Sequence, residues 1–542
     1  MKEICNKSMS FNECELAILR SSVDKAEMTK GKVAVNSPEI NRIIDIVEKF
    51  IKKRGLICYG GTAINNILPK KDQFYNRDFE LPDYDFFSSN ALEDAKDLTD
   101  EYVKAGFIEA EAKSGQHYGT FKVFVNFIPV ADITSMPKEL FSTLKDESVR
   151  VAGIYYAPPN FLRMLMYLEL SRPAGDVSRW EKVLKRLTLL NKNYPLTSKE
   201  CSYKDFQRKM DSKENGDLIY DTVKQTLIDQ GVVFFGGYAI SLYSKYMPKG
   251  FKKRLEKIPD FDVLSTEPEK TAEIVKEKLT NNKIKGVKVV KRPPLGEILS
   301  THYEVKVGDD TVLIIYQPMA CHSYNIVKYD NNDIKIATID TMLSFYLAFL
   351  YANREYLANK DRILCMSHYL FEVQEKNRLA QKGLLKRFSI NCIGHQVSVE
   401  EIRAEKSDKF RELRSKRGTK EFDEWFLRYR PNDIENKKNM TQEERESAEE
   451  KELNLIEKDL KEEGKIQNKI VHFFKKAAKS IKKNTKKIVG KFKKNKQDNS
   501  GKSLKIDKIK MGKNKMGKNK MGKNKTEKKA KGKHTLFGFI KF

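Results

Sequence analysis

Three short stretches of this 542-residue chain hold residues whose type and spacing suit phosphoryl chemistry. Gly60-Gly61-Thr62 interrupts the apolar run Leu56-Ile57-Cys58-Tyr59. A glycine pair after a buried strand lets the backbone come close to a ligand with its N–H groups aimed at it. Thr62 adds a hydroxyl, and a helix beginning there offers its positive end to a phosphate. Asp83 and Asp85 flank Tyr84, and in an extended strand residues two apart face the same side. Two such carboxylates repel unless a cation lies between them, and Mg²⁺ (or Mn²⁺), hard and oxygen-seeking, suits the place. Asp132, apolar-flanked in Val130-Ala131-Asp132-Ile133, supplies a third carboxylate for a second ion. Two ions so held activate an attacking hydroxyl and stabilise leaving pyrophosphate in an in-line displacement. The parts imply a nucleoside triphosphate as substrate and a hydroxyl as acceptor. Asp78-x-Glu80 is a rival pair just upstream, but the aromatics and polar stop around Asp83 and Asp85 frame the latter as a strand.

These residues need elements to position them. Ser37-Pro38 opens a helix with apolar Ile40, Ile43, Ile44, Val47, Phe50 and Ile51, ending at Arg54-Gly55. A short strand, the glycine turn and a second helix follow. Strands are expected at Tyr84–Phe87, Tyr118–Val125 and Phe127–Ile133, and helices from Pro158 to about Leu190. The same order then recurs. GLICYGGTAINNIL (55–68) matches GVVFFGGYAISLYS (231–244), LPDYDFFS (81–88) matches IPDFDVLS (258–265), and APPNFLRMLMYLEL (157–170) matches ATIDTMLSFYLAFL (337–350). A strand region beginning His-Tyr, at 117 and at 302, adds a fourth landmark. The chain therefore carries an internal duplication of about 180 residues. The expected divisions are an extension over 1–35, modules over 36–200 and 201–385, a packing segment over 386–440, and a charged then Lys-rich tail over 441–542 that is largely disordered.

Gly-Gly, about twenty residues, Asp-x-Asp among apolars and then a lone apolar-flanked Asp together resemble the polymerase-β-like nucleotidyltransferase superfamily. Within it, YGGTAIN, DYDFFS and the duplicated module resemble the poly(A) polymerase catalytic subunits of large cytoplasmic DNA viruses, over about residues 35–430. The resemblance implies an α+β fold of two tandem nucleotidyltransferase modules, each a mixed sheet with helices followed by a helical half. It implies template-independent addition of AMP from ATP to the 3′-OH of mRNA, a homodimer, and a place in the host cytoplasm (the viral factory) and in the virion. On it, Gly60, Gly61 and Thr62 hold the triphosphate, and Asp83, Asp85 and Asp132 bind the metals. Another RNA nucleotidyltransferase, an oligoadenylate synthase and an inactive RNA-binding scaffold are the alternatives.

The second copy keeps Gly236-Gly237 and Asp260-x-Asp262, but Tyr238 replaces Thr62. The stretch matched to 128–133 is 316–321, which holds no acid. A degenerate module is expected. Arg163, Lys182, Lys185 and Arg186 are candidate cations for the triphosphate, with a solvated basic helix face as the other reading; Lys182 is retained among the nucleotide-binding candidates. Asn65 is retained with it, and Asn66 stands with it as a residue that faces either nucleotide or solvent. His117 and His302 read as sheet packing.

Charge is unevenly placed. The chain has 103 Lys and Arg against 75 acids, a net +28, and residues 465–542 alone hold 28 Lys and three acids, leaving +3 for the rest. The tail, with three copies of MGKNK, suits RNA phosphate and reads no bases. An amphipathic face from Ile470 to Ile481 and an inert arm are competing readings, and Thr535–Phe542 could dock a partner. No apolar run spans a membrane, and the first residues lack a signal-peptide pattern. Seven scattered Cys without C-x-x-C argue against disulfides and zinc, and for a reducing compartment.

Overall fold

A computed structural model describes Cys5 and residues 9–458, apart from 36, 77–79, 81, 199–207, 209–213, 247–257, 259, 330–331, 355, 358–359, 378 and 434–439. Asp78, the Lys-rich tail with its repeats, the 470–481 face and the final aromatic segment lie outside the described residues. The chain divides into one compact unit reaching Arg445 and another beginning at Glu446. The first unit carries everything that follows.

The elements of the first module are α1 (Phe11–Val35), α2 (Pro38–Arg54), β1 (Ile57–Cys58), α3 (Gly60–Ile67), β2 (Tyr84–Ser88), α4 (Ala91–Lys104), β3 (Ala110–Ser114), β4 (Thr120–Val125), β5 (Ile128–Ser135), α5 (Lys138–Asp146), β6 (Val149–Val151), β7 (Ile154–Tyr156), α6 (Pro159–Leu170) and α7 (Trp180–Asn193). The second runs α8 (Gly216–Asp229), β8 (Val233–Phe234), α9 (Gly237–Leu242), β9 (Phe261–Leu264), α10 (Pro268–Asn281), β10 (Val287–Arg292), β11 (His302–Val307), β12 (Asp310–Tyr316), β13 (His322–Tyr329), β14 (Asn332–Ala337), α11 (Ile339–Ala352) and α12 (Lys360–Lys376). β15 (Cys392–Ile393), α13 (Val399–Leu413), α14 (Lys420–Phe426) and β16 (Arg428–Tyr429) close the unit. Within the stretch before residue 36, which shows no pattern in the sequence, Phe11–Val35 form the helix α1, with Phe11, Leu16 and Leu19 exposed.

Two mixed sheets form, in the orders β16-β3-β4-β5-β2-β1-β7-β6 and β10-β11-β12-β9-β8-β14-β13-β15. Removing β16 and β15 leaves two identical seven-strand arrangements, so the duplication is one of topology as well as sequence. The 386–440 segment stitches an edge strand onto each sheet: β16 beside β3 and β15 beside β13. The helical halves join the modules, α6 lying on α11, with Phe161 edge-on to Tyr351 at 5.3 Å. Every residue of α11 is buried, as a largely apolar helix at such a junction requires, and its Asp340 is paired with Arg387.

Local sequence explains the elements that matter. Pro38 opens α2, Ile40, Ile43, Val47, Phe50 and Ile51 bury one stripe of it, and Gly55 ends it with a left-handed φ of 61°. On β4, Phe121, Val123 and Val125 alternate into the core against α4. Lys122 therefore stands on the opposite face.

Register corrects two sequence matches. Asp85 pairs with Asp132, and Asp132 with Lys122; in the second sheet Asp262 pairs with Ile314, and Ile314 with Glu304. The counterpart of Asp132 is thus Ile314, not a residue of 316–321, and the third acid is absent all the same. By the same register His302 on β11 stands level with Thr120 on β4, so the two His-Tyr pairs are not equivalent. Loops of different length between the glycine turn and the later strands shift the sequence offset, which matched strings alone do not reveal.

The expectation of unpaired cysteines is also corrected. Cys321 is disulfide-bonded to Cys392 across 71 residues, with Cα atoms 5.2 Å apart, and Cys5 to Cys14. The pairing of β13 with β15 brings the first two together, a contact no local spacing encodes. The cysteine pattern therefore carries no information on compartment.

Candidate active site

β1 is only two residues long, and the chain leaves it through Tyr59, whose N–H donates to the Asp85 carbonyl at 2.9 Å. Its ring stacks on Phe87 at 4.0 Å and its hydroxyl meets Thr134 at 2.9 Å. Gly60 follows with φ 73°, and a Cβ there would lie 2.6 Å from Asp85 Oδ2. Gly61 is equally constrained: a Cβ would lie 2.5 Å from the Tyr75 hydroxyl and 2.9 Å from Arg186 Nη2. The glycine pair is therefore wedged between a carboxylate and a guanidinium. Thr62 is buried, and its hydroxyl donates to the Asp83 carbonyl at 2.7 Å. That bond ties α3 to the start of β2.

Asp85 is buried, and it stands in register with Asp132 on the adjacent parallel strand. Asp83 lies just ahead of β2 and is exposed. Lys122 takes up both oxygens of Asp132, with Nζ 2.6 Å from Oδ1. Across the sheet face, Lys122, Asp132 and Asp85 thus form one row. The donor chemistry suits a hard cation, being all carboxylate oxygen. Among the described residues, however, no three His, Cys, Asp or Glu side chains are grouped closely enough to hold an ion. Register brings Asp85 and Asp132 together, Asp83 stands one residue ahead of β2, and the Lys122 ammonium is bonded to Asp132.

Cations arrive from the helical half. Arg186, buried on α7, donates to the Tyr75 hydroxyl at 2.6 Å and lies 5.0 Å over the Phe74 ring. Lys182, one turn earlier, is exposed. Desolvation and the neighbouring guanidiniums of Arg186 and Arg179 push its ammonium down, while Glu169 and Asp83 act the other way. Lys182 therefore stands in the field of Arg186 and Arg179 and within electrostatic reach of Asp83, while Arg186 alone borders the glycine turn.

Other candidates are reassigned by their contacts. The Asn65 side-chain oxygen accepts from the N–H groups of both Phe74 and Tyr75 at 2.8 Å, and so holds the loop that seats Arg186. Asn66 is buried and donates to Tyr156 at 3.0 Å. Arg163, fully buried, bonds Asn191 at 2.7 Å together with Asn160 and the Tyr194 carbonyl. It clamps α6 to α7. Lys185 pairs with Glu181 on the exposed helix face. His302, as expected, packs in the sheet, bonded to the Ser300 carbonyl and the Tyr356 hydroxyl and stacked on Tyr316.

His117 does more than pack. With Gln116 it lines both a small recess over Asp132 and a cavity of about 440 Å³ beside it. α6 contributes Leu168 and Glu169 to that cavity, the next turn contributes Arg172, and the second module contributes Glu297 and Met319. Burial raises the Glu169 carboxyl and pushes the Arg172 guanidinium down to about 10. Sequence reasoning missed Lys122, Tyr75, Glu169 and Arg172; only Lys122 left a trace, as the outward member of an alternating strand.

The second module presents the contrast. Asp260 and Asp262 are both buried. Arg208 bonds Asp262 and lies 3.2 Å from Asp260, and Arg362 bonds Asp260 at 2.7 Å. Burial works against the Arg208 charge, but Asp262 and Asp260 outweigh it and hold the guanidinium protonated. Two arginines occupy the space a cation would need.

Comparison with known proteins shows what the chain is similar to. Residues 45–176 match the family model described as poly(A) polymerase catalytic subunit. A protein of African swine fever virus assigned as that subunit is 33% identical over 181 residues, which is 32% of this chain and 38% of the relative. Its counterpart from Acanthamoeba polyphaga mimivirus is 32% identical over 183 residues, 32% of this chain and 29% of the relative. The chain thus spans well under half the length of these curated relatives. In three dimensions the Megavirus polyadenylate synthase superposes with a TM-score of 0.67 at 19% identity, covering 83% of this chain and 92% of that one. The two-module α+β architecture is therefore shared with that structure, and residues 45–176, which carry the glycine turn and all three aspartates, are similar to the poly(A) polymerase catalytic subunits.

Proposed function

We propose that the chain is a template-independent polyadenylate polymerase, transferring AMP from ATP to the 3′-OH of mRNA and releasing pyrophosphate. One observation carries the reading: Asp85 and Asp132 stand in register behind a glycine turn that Arg186 approaches from the helical half. Asp83, Asp85 and Asp132 would hold the divalent ions, Mg²⁺ or Mn²⁺, whose contribution is to activate the attacking hydroxyl and neutralise charge on the leaving oxygen. Gly60 and Gly61 let the triphosphate approach the backbone, and Arg186 and Lys182 meet its charge as it shifts to pyrophosphate. Tyr75, Phe74 and Asn65 fix where Arg186 sits. The cavity beyond His117, with its buried acid and guanidinium, offers donors and acceptors to a nucleobase in contact with Asp132. The second module, its carboxylates neutralised by arginine, supplies one wall of that cavity and no chemistry.

The Lys-rich tail fits this reading as a tether for RNA phosphate, its hold falling steeply with salt. Pairing as a homodimer and a place in the host cytoplasm and virion belong to the same proposal. The test is extension of an RNA primer with each of the four NTPs in turn. Long ATP-specific products, lost in Asp85→Ala, support the proposal. Extension with every NTP, or short oligoadenylates, points to the neighbouring nucleotidyltransferase activities, and indifference to Asp85→Ala leaves only a scaffold.

A further inference from the structure

We propose that Lys122 is a resident counter-ion of Asp132, which a divalent cation must displace before it can bind; this rests on the polymerase reading of the carboxylates. Lys122 and Asp132 are direct partners on β4 and β5, and Asp132 and Asp85 are direct partners on β5 and β2. Directly opposed residues of neighbouring strands project from the same face, so an ammonium and two carboxylates form one line. Lys122 relieves the repulsion within it from the β4 side.

Its chemistry fits a place-holder. The Lys122 side chain retains 29% of its exposure against 13% for Asp132. It stands in the recess lined by Tyr59, Gln116, His117 and Thr120. A lysine is a compact charge on a four-carbon stem that can swing aside, whereas an arginine fork stays. The second module shows the fixed alternative: Arg208 bridges Asp260 and Asp262 with its side chain only 10% exposed. Where Lys122 stands in the first sheet, the second has Glu304, and where Asp132 stands it has Ile314. The exchangeable cation and the third carboxylate are thus present together in one module and absent together from the other. Lys122 takes both oxygens of Asp132, so an ion reaching that carboxylate must replace the ammonium.

The experiment measures Mn²⁺ binding to the nucleotide-free full-length protein, by the electron paramagnetic resonance signal of free Mn²⁺. Lys122→Met should bind the first Mn²⁺ about tenfold more tightly than the parent protein, since a charge-assisted hydrogen bond no longer competes. Lys122→Arg should stay within about twofold of the parent or bind more weakly. Lys122→Gln, closer in shape, serves if the methionine variant does not fold. Unchanged or weaker binding in the neutral variants overturns the place-holder and leaves the polymerase reading intact. Equal Mn²⁺ binding by the parent protein and Asp85→Asn/Asp132→Asn would instead overturn the cation site itself, and Lys122's role with it.

Discussion

Asp85 and Asp262 occupy the same place in duplicated modules, and the same substitution should have opposite consequences. In Asp262→Asn the buried Arg208 loses its main partner. Breaking a buried ion pair from one side costs roughly 3–5 kcal/mol. In a compact unit that reaches Arg445 each kcal/mol lowers the melting temperature by roughly 1 °C, so a fall of about 3–5 °C is expected. Asp85 stands beside a second carboxylate. At the ~4.8 Å spacing of neighbouring strands and an effective dielectric of about 20, two such charges repel by roughly 3 kcal/mol, part of which Lys122 offsets. Asp85→Asn should therefore leave melting unchanged or raise it slightly. Activity should divide the other way. Loss of a metal-binding carboxylate removes several kcal/mol of transition-state stabilisation, and at 1.36 kcal/mol per decade this is a loss of at least about 100-fold. Asp262→Asn, assayed well below its lowered melting point, should extend primer at close to the parent rate. Paired thermal melts and primer-extension rates decide the matter. Activity lost in Asp262→Asn with melting unchanged would refute the reasoning, because the second module would then be doing chemistry.

Gly60→Ala must adopt a left-handed φ of 73° and press on Asp85. A stability loss of about 1–2 kcal/mol should accompany a far larger loss of extension rate, read by denaturant melts beside kinetics. Asn65→Ala frees the N–H groups of Phe74 and Tyr75, and the KM for ATP should rise more than kcat falls, since Arg186 loses its seat. Burial opposes the Glu304 charge, but Thr311 and Arg292 hold its carboxyl below the ordinary value. Its contribution to stability is then complete above the unfolded pKa of about 4.3 and is lost as pH falls through the lower folded value. Glu304→Gln should be less stable than the parent near pH 7, with the gap closing toward pH 3, as followed by urea melts across that range.

What could be read from the sequence were the features encoded locally. The strings around Gly60 and Gly236, and around Asp83 and Asp260, repeat at nearly constant offset, because a glycine turn and an acid-bearing strand are each specified by a few adjacent residues. The duplication and the α+β class follow from them. Cross-strand register is not encoded in that way. That Lys122, Asp132 and Asp85 form a row, that Ile314 stands where Asp132 does, and that Cys321 meets Cys392 all depend on which strands pair and with what slip. Side-chain destination was hidden for the same reason. Asn65 and Arg163 look as able to meet a nucleotide as Arg186 does, until packing gives the first to a loop and buries the second between two helices. Chain-local chemistry nominated the carboxylates, and the tertiary structure chose their partners, because a charge is satisfied by whichever neighbour the fold brings within a few ångströms.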